Sequence, residues 1–442
     1  MLDMTRGNPV KLILSFALPL FIGNIFQQLY NVTDTFVVGR TLGHLALAAL
    51  GGSSASLIFV FFGFASGLNN GLAAVTAQHF GAKDYDKVRR SIATSICICS
   101  ATAIIITLLS VPFLRWMLIK MNTPQDCLEH AFSYLIILFI FLPLTYYVSL
   151  SYSILQALGD SRTPLYFLIF SNIVNIVLNV AFIRVFNIGV AGVAWATAIS
   201  QGLSLLLCVL YSLKRFPILR LKKSDWKFSM PFYFSHLRMS IPMAMMVTVT
   251  GTGIIVINMA INNFGSYAVA GSAATSPLSS MTILPIFSLS SAILTYTAQN
   301  YGAKQFERIR TGIRQTMLFT VSLGIFMGAV MFLFAPQLVG LFVDKNANWE
   351  VIRHGTIFLR LNTPFYLILG ILCVTRGILQ GFGRPKAPFY SGVMEMIIRV
   401  FCAFVLTKYF GYAGACISNP LAWTGGAVVV VAEYFRCLKK TS

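Results

Sequence analysis

Charge is scarce in this chain. Only 13 of 442 residues are acidic and 33 basic, 10% charged in all, where about a quarter would be charged in an ordinary soluble domain. A soluble globular fold is excluded. Catalytic signatures are missing as well: there is no HExxH, no GxSxG and no Asp-rich metal motif, and the five His residues are scattered, so a membrane transferase or protease has nothing to recommend it. No GxxxxGK[ST] loop occurs, which removes transport driven directly by ATP. The eight cysteines lie mostly inside apolar segments, and Cys97-Ile98-Cys99 lacks zinc or redox spacing, so they read as small buried apolar residues. Met1 to Pro9 lacks a small-residue cleavage site before a brief apolar core, and no removable signal peptide is expected.

Hydrophobic runs fill the space those absences leave. Apolar residues make up 57% of the chain and form twelve segments of spanning length, near 10–38, 46–80, 90–115, 126–157, 163–186, 188–213, 232–263, 266–300, 312–341, 350–380, 387–408 and 411–435. Several exceed the roughly 20 residues needed to cross hydrocarbon, so tilted, bent or protruding helices are expected. Basic residues cluster at the N-terminus and in the even-numbered loops, for example Lys83, Lys87, Arg89, Arg90, Lys214, Arg215, Lys222 and Lys223, while the opposite loops hold only Arg40, Arg115, Lys120, Arg184, Lys345, Arg353 and Lys408. That asymmetry places both termini in the cytoplasm. It also accounts for most of the formal charge of +20, and because the basic residues are spread over separate loops, no nucleic-acid partner is expected.

One acid stands out inside the apolar runs. In the first span Asn24, Gln27, Gln28, Asn31 and Asp34 fall at helical spacing and form one polar stripe. An ionisable group at membrane depth is costly and usually lines a cavity or ion path, so Asp34 is the candidate cation site. The only other mid-span acid is Glu395, in the eleventh span, with Arg399 one turn on; an i, i+4 pair of this kind reads most simply as self-neutralising. Its alternative is a movable carboxylate near the cavity.

The chain also repeats itself. Thr76-Ala77-Gln78-His79-Phe80-Gly81-Ala82-Lys83 recurs as Thr297-Ala298-Gln299-Asn300-Tyr301-Gly302-Ala303-Lys304, and Ile154-Leu155-Gln156-Ala157-Leu158-Gly159 as Ile378-Leu379-Gln380-Gly381-Phe382-Gly383. Pro19 pairs with Pro242, Gly43 with Gly265, Pro143 with Pro364 and Gly189 with Gly411, all at offsets of 221 to 224 residues. The expected fold is therefore an all-α integral membrane protein of twelve transmembrane helices in two pseudo-symmetric six-helix bundles, 1–213 and 232–442, joined by a basic cytoplasmic linker, 214–231. With six spans each, the repeats are related by an axis along the membrane normal, and such halves can rock around a central cavity. The matched Gly-Ala-Lys and Leu-Gly turns read as helix connections with a Gly at the helix end.

These residues together resemble the MATE (multidrug and toxic compound extrusion) transporters, and among them the DinF-like bacterial branch. The resemblance rests on Pro19 and Asp34 in the first span, both Gln-x-x-Gly-Ala-Lys loops, both Leu-Gln-x-x-Gly turns and Gly189-x-x-Gly192 opening the sixth span. It implies a secondary active efflux transporter in a bacterial cytoplasmic membrane, exporting bulky, often cationic organic compounds by antiport with H+ or Na+, with no other cofactor. The family's cation site maps onto Asp34, Asn175, Asn179 and Thr197, and the second acid of the family pattern is missing. A lone carboxylate with amides can hold Na+ weakly or a proton readily, so proton coupling is the expectation. Acids that another branch of the family places on the seventh and tenth spans are absent here.

The substrate surface is expected among Gln27, Tyr30, Asn31, Met243 and Met246, because aromatic faces attract organic cations and Met side chains adapt to varied ligands, although Met and Phe in a membrane protein are more often packing. An alternative function is a flippase for lipid-linked oligosaccharides. It would need basic residues in the cavity, for which only Arg238, Arg360, Arg376 and Arg399 are available, the first three near helix ends. One chain holds both halves, so a monomer in membrane lipid suffices.

Overall fold

The structure is a computed structural model that describes residues 2–121, 123–343 and 349–441; Lys345 lies outside them. Among the described residues every regular element is helical. Among the described residues eleven helices are long and apolar enough to cross a membrane, and a twelfth crossing is made by a bent pair. They are α1 (Pro9–Thr41), α2 (Leu45–Gly81), α3 (Tyr85–Lys120), α4 (Gln125–Ile140 with Leu142–Ala157), α5 (Arg162–Val185), α6 (Val190–Arg215), α7 (Met230–Asn262), α8 (Ser266–Gly302), α9 (Phe306–Leu333), α10 (Trp349–Gly381), α11 (Lys386–Cys416) and α12 (Ser418–Leu438). The chain is a multi-pass membrane protein with the expected twelve spans. The 53° bend in α4 falls at Phe141, where Pro143 enters the second segment as one of its first helical residues, a position that tolerates the missing N–H.

Helix starts are set by local chemistry. Asp84 caps α3, its carboxylate accepting from Lys87 N at 3.1 Å while Lys87 Nζ lies 2.8 Å away. Asp160 caps α5 more fully, accepting from the backbone N–H groups of Arg162 and Thr163 at 3.0 Å each and from Thr163 Oγ1 at 2.6 Å. Both satisfy donors that a helix start would otherwise leave orphaned.

The backbone carries the repeat in detail. Left-handed conformations occur at Gly43 and Gly265, Gly159 and Gly383, Gly189 and Gly411, and a π turn closes the regular part of α5 at Ala181–Val185 and of α11 at Cys402–Leu406. In the Gly-Ala-Lys turns the residue with positive φ is the lysine, Lys83 and Lys304 both at 58°, whereas Gly81 and Gly302 are ordinary last residues of their helices. The Leu-Gly turns do use their glycine.

Two compact units are present, Met1–Asp3 with Leu18–Ala244, and Met4–Ala17 with Met245–Ser442. In the first unit, Val38, Leu114, Leu135, Phe139 and Val193 form one apolar cluster, and Leu68, Leu72, Leu142 and Tyr146 a second. Gly67 and Gly71 of α2 let α7 approach backbone to backbone; a Cβ on Gly71 would lie 2.4 Å from Ser240 Cα. The segment between α6 and α7 is folded. It makes two short 3₁₀ turns, Pro217–Leu219 and Lys223–Trp226, with Ile218, Leu219 and Leu221 packed on the second cluster, and Asp225 accepting from Lys222 N at 2.7 Å and facing Arg89 at 3.5 Å. The division between the units falls inside α1, after Ala17, and inside α7, after Ala244.

In the second unit, Leu278, Ile286, Tyr366, Leu372, Leu379 and Trp423 form the main cluster. Here Met4 is fully buried: its N–H donates to Gln299 Oε1 at 3.1 Å and its carbonyl accepts from Asn300 Nδ2 at 3.0 Å and from the Arg308 guanidinium at 3.3 Å. The second copy of the repeated turn thus anchors the polar N-terminal lead.

Candidate functional site

Three helices of the first unit converge on Asp34. Its carboxylate is 7% exposed, held by α1 against α5 and α6. Asn179 Nδ2 donates to Asp34 Oδ1 at 2.6 Å and to Asn175 Oδ1 at 2.8 Å; Asn175 Nδ2 reaches Thr197 Oγ1 at 3.3 Å; Thr197 Oγ1 donates to Val193 O at 3.0 Å. The Tyr30 hydroxyl lies 3.0 Å from Thr197 Oγ1 and also within hydrogen-bonding reach of Asp34. If the Asn175 amide turns over, its nitrogen donates to Asp34 Oδ1 at 3.0 Å. Asp34, Asn175, Asn179 and Thr197 are thus one hydrogen-bonded chain.

The spacing explains the arrangement. Asn175 and Asn179 stand four apart on α5 and share a face, which lets one amide bond the next. Thr197 projects from α6, whose start is set by Gly189 with φ 70°. In this chain of bonds the carboxylate receives N–H donors, and Asn179 Oδ1 is a buried acceptor with no donor of its own. An ionised carboxylate is satisfied there, and a proton added to it finds an acceptor beside it once the amide rotates. Among the described residues no group of three His, Cys, Asp or Glu side chains could hold a metal ion.

The remaining expected residues are distributed differently. Asn172, which shares a helical face with Asn175 and Asn179 and reads from the sequence as an interhelical hydrogen bond, donates to Phe26 O at 3.1 Å as such a tie and does not join the chain. Within the polar stripe of α1 only Asp34 is buried: Asn24 is half-buried, and Gln27, Gln28 and Asn31 are exposed. Met243 is 2% exposed, and its carbonyl lies where α7 meets Gly67; it is packing in this structure. Met246 is half-buried, touches Gly392 and lies 3.9 Å from Gln380 Nε2. Tyr134 of α4 was not anticipated. It is 8% exposed and close enough to interact electrostatically with Asp34, but an aromatic in an apolar run carries no signal of its own.

In the second unit the reading of Glu395 and Arg399 as a self-sufficient pair is corrected. Arg399 Nη2 lies 3.1 Å from Glu395 Oε2, but Arg376 of α10 bonds the other carboxylate oxygen and also donates to Ser391 Oγ at 2.7 Å. Arg376 belongs to this cluster and not to a helix end. Arg238 and Arg360, the other two basic candidates, are exposed, the latter over the Phe332 ring at 5.7 Å.

Tandem six-span repeats, each with its own buried polar cluster, define an integral membrane transport protein of internally duplicated design, not an enzyme. The family model described as MatE matches residues 19–181 and again 242–405, each match opening on one of the paired prolines and ending in one of the π turns. The chain belongs to the MatE family. It is 29% identical over 392 residues to the probable multidrug resistance protein YpnP of Bacillus subtilis, covering 86% of this chain and 84% of that one. It is 26% identical over 436 residues to the probable multidrug resistance protein YoeA of the same organism, covering 96% and 93%. Its fold matches a MOP superfamily transporter from Pyrococcus furiosus, described as having a binding pocket of reverse polarity suggesting a different function, at a TM-score of 0.91 and 22% identity over 99% of this chain and 98% of that one.

Proposed function

We propose that this protein is a secondary active multidrug efflux transporter of a bacterial cytoplasmic membrane, with both termini cytoplasmic and a monomer as the working unit. It exports bulky, often cationic organic compounds in exchange for protons. The observation that carries the reading is the buried carboxylate of Asp34, at the head of an amide and hydroxyl chain through Asn179, Asn175 and Thr197. Names of relatives as multidrug resistance proteins support the substrate class. The chemistry favours a proton over Na+, since the site offers one anionic oxygen pair whose neighbours present N–H donors, whereas a hard cation needs several oxygens turned inward.

The cycle follows from that chain. A proton arriving from outside neutralises Asp34, the Asn179 amide reverses so that its oxygen accepts the new O–H, and the packing of α1 on α5 and α6 changes. Affinity for a cationic substrate falls and the compound leaves. Release of the proton to the cytoplasm restores the carboxylate, and coupling requires only that proton and substrate prefer different states of an alternating-access cycle.

Efflux of ethidium from cells expressing wild type or Asp34→Asn, under an imposed proton or an imposed sodium gradient, tests this. Wild type should export the dye with the proton gradient, and Asp34→Asn should fall to the level of cells without the protein. Drive by sodium alone would replace the proton in the scheme, and no export above background would remove the reading. A flippase for lipid-linked oligosaccharides is the less favoured alternative, because Arg238 and Arg360 are exposed and Arg376 and Arg399 share a carboxylate.

A further inference from the structure

The second unit holds a counterpart of the Asp34 site with its charge inverted. Gly189 and Gly411 set the register of α6 against α12, and in it Thr197 corresponds to Asn419. Counted from the Leu-Gly turns, Asn175 corresponds to Arg399. Counted from the π turns the mate would be Leu178, because the α-helical stretch before the π turn has 19 residues in α5 and 16 in α11. The bonding decides for the first: Asn175 Nδ2 meets Thr197 Oγ1 at 3.3 Å, and Arg399 Nε meets Asn419 Oδ1 at 3.3 Å. Pro19 and Pro242 set α1 against α7, so that Tyr30 corresponds to Gly253. Where Tyr30 reaches Thr197 in the first unit, Gly253 leaves room that Arg399 takes: a Cβ on Gly253 would lie 3.2 Å from Arg399 Cδ and 3.6 Å from Nη1.

Charge is not balanced in this counterpart. Glu395 is 2% exposed and shared by Arg376 and Arg399, itself 2% exposed. Two guanidinium groups against one carboxylate leave one positive charge in excess, and Arg399 Nη1 is a buried donor with no acceptor. A second buried group without a partner, Thr250 Oγ1, lies on the same face of α7 one turn before Gly253, where α7 meets Gly392 of α11. An uncompensated buried cation with a free donor is costly, and an anion beside it relieves both charge and hydrogen bonding.

We propose that Arg376 and Arg399, with Glu395 as their shared internal counterion, form a binding site for one monoanionic group, either a carboxylate carried by a transported compound or a small inorganic anion. The excess of a single charge argues for a monoanion over a phosphate dianion, which would leave the cluster negative. Glu395 then acts as a competitor held in reserve: it occupies guanidinium donors that the incoming anion shares, and its own removal strengthens binding. The carboxylate form rests on the transport reading above; anion binding itself does not.

The test uses purified full-length protein in detergent, with intrinsic tryptophan fluorescence as the signal; of the five tryptophans, Trp423 lies one turn beyond Asn419 on α12. Sodium chloride and sodium benzoate are titrated separately against a sodium sulfate background of constant ionic strength. Wild type should respond saturably to at least one probe. Arg399→Gln should weaken that response about tenfold, the value of one charge-assisted hydrogen bond, and it leaves Arg376 and Glu395 as a neutral pair that can still fold. Glu395→Gln should tighten binding, a gain that a purely structural role would not produce. A response to benzoate alone assigns the site to a substrate carboxylate, and one to chloride alone to an inorganic anion. Absence of a saturable response to both probes in wild type and in folded Glu395→Gln overturns the proposal. Ethidium efflux by the same protein is read separately, so failure of anion binding and failure of the transport reading are distinguishable.

Discussion

Asp34 is held at membrane depth by the donors within its reach, the Asn179 amide at 2.6 Å among them. Replacing Asn179 by Leu removes a hydrogen bond to a charged group worth about 1.5–3 kcal/mol. Ethidium efflux by Asn179→Leu is expected to drop at least tenfold in initial rate at equal expression. Tyr30→Phe should cost less, because Asn179 still donates to Asp34 at 2.6 Å and Thr197 keeps its bonds to Val193 O and Asn175; equal losses in the two variants would deny the amide its special place. At this scale the sequence announces Asp34, since an acid in an apolar run is rare, and resemblance supplies the two asparagines and the threonine. Tyr134 and Arg376 were not legible as partners. Aromatics are the default filling of such helices, and a basic residue five positions before the end of α10 looks like a helix-end residue until the fold shows Glu395 across from it.

Between elements, α2 and α7 of the first unit approach closely at Gly67 and Gly71. Gly71→Ala would drive a Cβ to 2.4 Å from Ser240 Cα, backbone against side chain with nothing flexible to yield. A loss of about 1–3 kcal/mol follows from overpacking, seen as a lower melting temperature of purified protein. Gly202→Ala, where the nearest atom is Leu144 Cδ2 at 3.7 Å, is the matched control and should leave melting unchanged. Spans of this length were readable from composition, and so were the Leu-Gly turns. In the Gly-Ala-Lys turns a glycine does end each helix, and nothing local betrays that Lys83 and Lys304, two residues on, take the left-handed conformation. The segment after α6 was read as a linker from its basic residues and proline, whereas Ile218, Leu219 and Leu221, too few to make a pattern, fasten it to the core.

For the whole molecule, the basic-residue asymmetry makes a concrete prediction about topology. A membrane-impermeant maleimide should label Glu129→Cys, at the start of α4, in intact cells, and Ser224→Cys, between α6 and α7, only after permeabilisation. The reverse pattern would invert the chain. The twelve spans and their doubling were legible because hydropathy and the repeated turns do not depend on distant contacts. The sharing of Glu395 between two helices was not, since it depends on contacts that form only in the folded chain. The doubling also gives the molecule a history. A π turn closing the fifth helix of each half, a left-handed lysine at the same turn, and a polar bond from the fifth helix to the sixth occur at matching positions in both copies. They are the inheritance of a single six-helix gene. Asp34 on one side and the two arginines around Glu395 on the other are not matched, so at least one half changed its buried charge after the doubling.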